Sequence, residues 1–294
     1  MRVDLTKETI EVVSTGIPAF NRLLGVGGYP KKYLTMISGQ AGVGKTTLAI
    51  HAIREAQAAG TKTLYVETDF KFVPKYFSEM GVDMKNLTVI QGEVGEDVLQ
   101  EMVDELETGK YGFCVLDTVS KLTPREEVQK DFDQHTIGKQ AMLIGRFLRK
   151  LKPLANKHNI AVLLLNHERE DIMAIGKPAI KTPGGKAIQE DVIVWVRMSH
   201  TGNNISEGGK VVGKTVKAKI WRKNQVAATE GHEAILEVYA GKGFAAEADL
   251  LQDLLDKGVI TKDGGSYFYE GEKVAFGQPK LRKWLEENAE KLRA

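Results

Sequence analysis

This chain has very little cysteine, proline or unbroken apolar sequence, and each shortage excludes a class of protein. The single cysteine, Cys114, can form no disulfide within the chain, which excludes a disulfide-stapled secreted fold. Eight prolines, with 42% hydrophobic and 27% charged residues, exclude collagen-like and disordered chains. No run of 18 apolar residues occurs, and MRVDLTKETIEVV has no unbroken apolar stretch, so neither a membrane span nor a secretory signal is predicted. We therefore expect a cytoplasmic globular protein without a membrane partner.

Basic and acidic residues are nearly balanced in this chain, with 41 Lys and Arg against 39 Asp and Glu. The formal net charge of +2 at pH 7 is too close to zero to indicate a nucleic-acid partner by itself, so such a partner must be argued from where basic residues lie. The length of 294 residues predicts one large domain, or a core domain with an appendage of roughly 50 residues.

Short apolar runs alternate with helical patterns through the first two-thirds of the chain. Helical periodicity at 46–59 and 95–109 separates runs that are continuously apolar, which is typical of strands buried on both faces of a parallel sheet. The predicted strands are 34–39, 62–68, 86–92, 111–117 and 160–166. This alternation predicts an α/β fold, with a mostly parallel twisted sheet flanked by helices and with ligands bound at the carboxyl ends of the strands.

The pattern changes after about residue 190. Three β-rich runs, 191–198, 214–223 and 232–240, follow one another with glycine-rich turns, and they predict an antiparallel extension of the sheet. From about residue 245 a helix, a hairpin and a second helix are predicted, as a small α+β module. The predicted organisation is a short lead-in at 1–33, a core at 34–243 and a C-terminal module at 244–294.

The stretch GQAGVGKT, residues 39–46, satisfies the phosphate-loop pattern G-x-x-x-x-G-K-[ST] and stands between an apolar run and a helical pattern. Its glycines allow backbone N–H groups to turn inward, and the helix that follows directs its positive end at bound phosphates. We expect Lys45 to reach the β- and γ-phosphates and Thr46 to help hold Mg²⁺. The residues predicted to line the nucleotide are Gly39, Gln40, Ala41, Gly42, Val43, Gly44, Lys45, Thr46 and Thr47.

A carboxylate at the end of a second apolar run completes this pattern. The run YGFCVLDT carries Asp117 at its end, where an oxygen ligand can hold Mg²⁺ directly or through water. Many buried strands end in Asp as a cap or turn residue, but the phosphate loop upstream favours metal binding. The sequence therefore predicts Thr46 and Asp117 as metal ligands.

Five further segments carry a family resemblance. They are VVSTGIPAFNRLLGVGGYP (12–30), YFSEMGVDMKNLTVIQGEVGEDVLQEM (76–102), VLDTVSKLTPREEV (115–128), TPGGKAIQEDVIVWVRM (182–198) and KNQVAA (223–228). In order and spacing they resemble the RecA family of recombinases, bacterial and phage, over nearly the whole chain. The resemblance implies a RecA-type core and a DNA-dependent ATPase that uses ATP with Mg²⁺. It also implies a filament on single-stranded DNA that promotes homologous pairing and strand exchange in recombination and repair.

The resemblance implies roles for residues around the nucleotide. The family places a water-activating glutamate just after the second core strand, where LYVETDF carries Glu67 and Asp69 in exchanged positions. By position Asp69 inherits the role, but its side chain is one methylene shorter, so both are candidates and either could instead cap the turn. Tyr76 falls where the family stacks an aromatic ring on adenine. His167, after Asn166, falls where the family senses the γ-phosphate; phage members share this Asn-His pair, whereas bacterial members usually have glutamine.

Residues 125–138 and 167–185 resemble the family's two DNA-binding loops. By position Ile137 and Ile172 would wedge between base triplets of a stretched strand. The residues that would hold phosphates without reading sequence are Gly184, Gly185, Arg149 and Arg169. The second loop shows no element of its own, and acidic residues such as Glu168 predict salt-sensitive affinity.

The resemblance also implies a helical filament with ATP between protomers. Lys223 matches one of the lysines that reach a neighbour's ATP, while Gln225 stands where a second is expected. Only about a dozen residues precede VSTG, which is too few for the full N-terminal arm by which bacterial members of the family bind the next protomer. Rings are therefore an alternative to filaments. The expected partners are single-stranded and double-stranded DNA, further copies of the chain, and single-strand-binding or mediator proteins. The basic and aromatic C-terminal module would suit a surface for duplex DNA, and an ordinary helix–hairpin core would explain Tyr267, Phe268 and Trp284 equally well.

Two other functions stay open from the sequence. One is a RecA-fold hexameric motor, against which the second loop and the C-terminal module argue. The other is an accessory ATPase that resembles recombinase paralogues, assists filament loading and hydrolyses ATP slowly. The exchange of Glu67 and Asp69, together with Gln225, favours the accessory.

Overall fold

Strands and helices alternate in a computed structural model that describes residues 10–129, 138–171, 179–181, 183–245, 254–255 and 258–293. The helices are α1 (Pro18–Leu24), α2 (Lys45–Ala58), α3 (Pro74–Glu79), α4 (Gly95–Glu107), α5 (Arg125–Val128), α6 (Lys139–Lys157), α7 (Gly185–Asp191) and α8 (Gln278–Arg293), with a 3₁₀ turn at Val119–Lys121. Within the described residues, none of these helices is both long and apolar enough to span a bilayer.

The five strands predicted between residues 34 and 166 lie close to their predicted positions, as β3 to β7, and further short strands accompany them. They are β1 (Val12–Val13), β2 (Tyr29–Pro30), β3 (Leu34–Gly39), β4 (Lys62–Glu67), β5 (Leu87–Gln91), β6 (Tyr111–Asp117), β7 (Ala161–His167), β8 (Arg169–Asp171), β9 (Ala179–Lys181), β10 (Val194–Glu207), β11 (Lys210–Asn224), β12 (Glu233–Tyr239), β13 (Gly243–Phe244), β14 (Ile260–Asp263), β15 (Ser266–Tyr269) and β16 (Glu272–Phe276).

One nine-stranded sheet organises the fold, with strand order β13-β12-β11-β10-β3-β7-β6-β4-β5. The last six strands of that order are parallel, from β10 to β5, and β11, β12 and β13 are antiparallel to their neighbours. The three runs at 191–198, 214–223 and 232–240 pair antiparallel with one another, as predicted, and the first of them, β10, joins the core by pairing in parallel with β3. The parallel direction follows from the connection between β7 and β10. The short helix α7 carries the chain back to the end of the sheet where β3 and β7 begin, so β10 runs in the same direction as both.

Helices cover both faces of the sheet, which explains why its strands are continuously apolar. In β7, Leu163 and Leu165 belong to the core beneath α1 and α2, whereas Val162 and Leu164 belong to the core beneath α4 and α6. A fully buried leucine of this kind contributes about 1.5–3 kcal/mol to stability. The two cores hold the carboxyl ends of β3, β6, β7 and β4 in line along one edge.

The hairpin of β10 and β11 is longer than predicted. Its outer part, residues 199–213, is polar and contains glycines, so the apolar pattern stops before the strands do. Register shifts interrupt the pairing there, between His200 and Asn204 and between Ile205 and Ser206. Such bulges let a strand continue without a regular in-and-out alternation.

The two predicted DNA-binding loops contain more regular structure than expected. The first opens with α5, and β8 and β9 pair antiparallel within the second. Strands of three residues are too short to show a period of two, so the sequence pattern does not reveal them. The predicted wedges Ile137 and Ile172 lie outside the described residues.

The predicted hairpin and final helix near the C-terminus are present as β15, β16 and α8, with β14 added to form a three-stranded sheet. They share a hydrophobic cluster that includes Ile260, Tyr267 and Leu281. Tyr267 is buried, and Trp284 packs against Tyr269, so these rings stabilise the helix and hairpin. Most of the helix predicted at 247–258 lies outside the described residues.

Candidate active site

The predicted phosphate loop connects the end of β3 to the start of α2. A side chain at Gly39 would place its Cβ 2.4 Å from the carbonyl oxygen of Met198, so the passage of β10 requires glycine there. Gly44 precedes α2 with φ of 96°, a left-handed conformation that disfavours other residues. The first N–H groups of a helix have no partner within it, so the loop presents donors to bound phosphate.

Lys45 lies inside this loop and is almost fully buried. Its Nζ donates to the carbonyl oxygens of Gly39 at 2.9 Å and Gln40 at 2.8 Å, and it lies 3.3 Å from Nδ1 of His167. Burial lowers the pKa of Lys45 to about 8, against the opposing charges of Asp117 and Glu168. An ammonium held by neutral acceptors can exchange them for phosphate oxygens, which are stronger acceptors because they are charged.

The two predicted metal ligands are in direct contact. The hydroxyl of Thr46 donates to Oδ2 of Asp117 at 2.7 Å, and the hydroxyl of Tyr65 donates to the same oxygen at 2.8 Å. Burial raises the pKa of Asp117, and the hydrogen bonds from Thr46 and Tyr65 oppose that shift. A hydroxyl and a carboxylate are hard oxygen ligands, so this pair fits Mg²⁺.

The structure gives Glu67 and Asp69 different surroundings. Glu67 is only 3% exposed. Its Oε1 accepts hydrogen bonds from the N–H groups of Asp69 at 2.9 Å and Lys71 at 3.1 Å. Its Oε2 accepts a hydrogen bond from Nε2 of Gln91 at 2.7 Å. Its carboxylate therefore caps the turn after β4. Asp69 instead forms ion pairs with Lys71 and, at 3.4 Å, with Lys121. Burial raises the pKa of Asp69, but the two lysines together outweigh burial and hold it below its usual value.

His167 ends β7 beside the phosphate loop, with Gly39 as its register partner on β3. Burial, followed by the charge of Lys45, lowers the pKa of His167 to about 4, so the ring is neutral near pH 7. The next residue, Glu168, is nearly buried and accepts Ser38 Oγ at 2.9 Å and Arg197 Nε at 2.9 Å. Arg197 therefore offsets the charge of Glu168 within the chain.

Tyr76, which is predicted to stack on adenine, lies beside the start of α2. Its hydroxyl is 3.4 Å from Oγ1 of Thr47. On another side of the loop, Phe244 of β13 lies where a side chain at Gly44 would meet its ring. The N–H of Phe244 donates to Nε2 of His51 at 3.0 Å. The sequence did not reveal these contacts of His51 and Phe244, because they join residues far apart in the chain.

Lys223 lies away from the phosphate loop of its own chain. Its Nζ donates to the carbonyl oxygens of Glu190 at 2.9 Å and Gln189 at 3.4 Å, at the end of α7. Arg222 beside it donates to Oε1 of Gln189 at 3.0 Å and lies over the ring of Trp195. Lys223 is thus not joined to the other predicted catalytic residues within one chain.

The predicted DNA-contacting residues are only partly described. Gly184 precedes α7, and Gly185 begins it opposite Ala141 of α6. Arg149 is exposed on α6. The backbone of Arg169 lies in β8, while its side chain lies outside the described part of the structure.

Together the sheet and the site define a class of protein. A central parallel strand, a glycine loop and a helix present Lys45 and Thr46 to Asp117 at the end of β6, which is the arrangement of P-loop nucleoside triphosphatases. The antiparallel strands β11 to β13 beside the parallel core are those of the RecA-type fold.

Comparisons with known proteins narrow this class to a family. Residues 1–245 match the model of the RecA N-terminal domain. Protein RecA of Aquifex aeolicus is 34% identical over 285 residues, which is 97% of this chain and 81% of that protein. Protein RecA of Macrococcus caseolyticus and of Thermus aquaticus are each 33% identical over 98% of this chain, covering 80% and 84% of their own lengths. The chain belongs to the RecA family of recombinases.

Proposed function

We propose that this protein is an ATP-dependent recombinase that assembles on single-stranded DNA, hydrolyses ATP between protomers and promotes homologous pairing and strand exchange. The observation that carries this proposal is the position of His167. The residue contacts Lys45 in the phosphate loop and leads directly into the segment predicted to bind DNA. Relatives similar over nearly the whole chain all bear the name Protein RecA, which does not favour a ring-forming motor or a loading accessory.

In the proposed reaction, the phosphate loop and Tyr76 bind ATP, and Lys45 faces its β- and γ-phosphates. Thr46 and Asp117 would hold Mg²⁺, which neutralises charge on the phosphates. Asp69 accepts a proton from water as the water oxygen attacks the γ-phosphorus. The bond from phosphorus to the bridging oxygen breaks, and ADP and phosphate leave. Glu67 does not act as the proton acceptor in this proposal, because both of its carboxylate oxygens already accept hydrogen bonds in and beside the turn after β4.

Binding of DNA and of further copies of the chain extends the proposal. Ile137 and Ile172 would act as wedges, while Arg149, Arg169 and the backbone of Gly184 and Gly185 would hold phosphates. Lys223 would act on a neighbouring protomer's ATP, which accords with its separation from the phosphate loop of its own chain. Residues 34–243 would form the ATPase core after the lead-in, and 244–294 a small module for duplex DNA. Single-strand-binding or mediator proteins would assist loading.

The test is the ATPase rate with and without single-stranded DNA, for the native protein and for Lys45→Ala. We expect DNA to stimulate the native rate. We expect Lys45→Ala to lower the rate by about 100-fold or more, the loss seen when a preorganised charge or donor is removed from a reacting group. Lys31→Ala is the control, because Lys31 pairs with Glu11 near the amino ends of β3 and β7, at the opposite edge of the sheet. Near-native turnover by Lys45→Ala would contradict the proposal, and so would an ATPase rate of the native protein that is the same with and without single-stranded DNA.

A further inference from the structure

Two lysines hold the two oxygens of the Asp69 carboxylate. Lys121 Nζ lies 3.4 Å from Oδ1, and Lys71 pairs with Oδ2. Lys71 comes from the turn after β4, whereas Lys121 ends the 3₁₀ turn that follows β6. The carboxylate is therefore fixed from two separate elements of the sheet edge.

We propose that Lys121 is a positioning residue for ATP hydrolysis, which orients the Asp69 carboxylate toward the attacking water. This inference rests on the proposed function, in which Asp69 activates that water. Lys71 shares the task from within the same turn, but it is the more exposed of the two lysines, at 76% against 49% for Lys121. Lys121 is thus the less exposed anchor, and it comes from a different strand end than Asp69.

The need for an anchor follows from the length of the side chain. Aspartate is one methylene shorter than the glutamate expected after this strand, so its carboxylate must be held at one place to serve the same water. Misplacing a reacting group by about 1 Å can cost on the order of 100-fold in rate. Glu67 cannot substitute, because its carboxylate is buried and committed to the turn.

The ion pair between Lys121 and Asp69 contributes little to the stability of the fold. A salt bridge with an exposed lysine contributes about 0–1 kcal/mol to stability, so removal of Lys121 should leave the fold intact. The charged and titratable groups facing Asp69 are Lys71 in its own turn, Lys121 after β6 and His167 at the end of β7. Of these, the two lysines lower the pKa of Asp69.

The experiment compares the native protein with Lys121→Ala, Lys121→Arg and the control Lys31→Ala. We expect Lys121→Ala to lower kcat of the DNA-stimulated ATPase by about 10- to 100-fold, the range of a misplaced general base. KM for ATP and the affinity for a fluorescent ATP analogue should stay within about twofold, and Lys121→Arg should retain most of the rate. In nucleotide-free protein, a carboxyl ¹³C titration should show a higher pKa for Asp69 in Lys121→Ala.

Three outcomes would overturn the positioning role. One is an unchanged kcat in Lys121→Ala. Another is a loss of nucleotide affinity with kcat preserved, which would mean that Lys121 contacts phosphate directly. The third is that Lys121→Ala and Lys121→Arg both lose activity and melting temperature to the same extent, which would mean that Lys121 supports the fold. Asp69→Asn distinguishes the role of Asp69 from that of Lys121. Normal ATP turnover by Asp69→Asn would overturn the proposed function of Asp69, whereas an inactive Asp69→Asn beside a normal Lys121→Ala would overturn only the role of Lys121.

Discussion

At the scale of single residues, hydrogen bonding distinguishes two carboxylates that the sequence could not rank. Glu67 and Asp69 stand two positions apart, and each is compatible with either catalysis or a turn. Glu67 accepts hydrogen bonds from two backbone N–H groups and from the amide of Gln91, so both of its carboxylate oxygens have partners in the turn after β4. Asp69 keeps its carboxylate at the partly exposed edge, between Lys71 and Lys121.

We predict opposite effects for the two amide substitutions. Asp69→Asn should abolish ATP turnover because it removes the proton acceptor. Nucleotide affinity and unfolding free energy should change little, because the two ion pairs that are also lost involve exposed lysines and contribute about 0–1 kcal/mol each. Glu67→Gln should lower the unfolding free energy by about 1–3 kcal/mol, the cost of disrupting hydrogen bonds to a buried charged group. Urea unfolding and ATPase assays on both variants provide the measurement. Normal turnover by Asp69→Asn together with an inactive but stable Glu67→Gln would reverse the assignment.

At the scale of elements, a histidine joins α2, the helix that follows the phosphate loop, to β13, the strand at one end of the strand order. His51 of α2 accepts the N–H of Phe244 in β13, and Phe244 packs beside Gly44. A side chain at Gly243 would collide with Nε2 of His51 and with Met80. Burial, followed by the charge of Arg54, lowers the pKa of His51 from 6.5 to about 4. The neutral ring is therefore part of the folded structure.

Stability should consequently fall as pH decreases from about 6.5 to about 4. In this window the unfolded chain binds a proton at His51 that the folded chain does not, so acid favours unfolding. One such proton corresponds to a slope of at most about 1.4 kcal/mol per pH unit. His51→Gln cannot titrate, so its unfolding free energy should depend less steeply on pH, although His167 still contributes. Equal slopes in urea unfolding from pH 4 to 7 would show that His51 is not the titrating group.

At the scale of the whole molecule, the end of β7 contacts both the phosphate loop and the end of the second predicted DNA-binding loop. His167 at its end contacts Lys45, and Asn166 donates to the carbonyl oxygen of Pro183 at 2.7 Å, just before α7. The α7 helix in turn receives Lys223 at its carboxyl end. Thus one strand end is connected to the phosphate loop, to the end of the predicted DNA loop and to the residue proposed to act on a neighbour.

We expect a non-hydrolysable ATP analogue with Mg²⁺ to raise affinity for single-stranded DNA by about 5- to 150-fold, the usual range of coupling between two sites. His167→Ala should reduce this coupling while both ligands still bind. His167→Gln is the matched control, because it keeps a polar group at the strand end. Fluorescence anisotropy with a labelled oligonucleotide measures the effect. Equal affinity of the native protein with the analogue, with ADP and without nucleotide would remove the coupling role of His167.

The sequence by itself determined the class of fold and the phosphate loop, because both depend on local order along the chain. Continuous apolar runs gave the positions of β3 to β7, and Gly39–Thr46 and Asp117 stand at the ends of two of them. Tertiary structure alone decided the parallel pairing of β10 with β3, the different hydrogen-bond partners of Glu67 and Asp69, and the ion pair between Asp69 and Lys121. The physical reason is that hydrogen bonds and ion pairs of buried groups are completed by residues from other strands, whose proximity arises only when the sheet assembles.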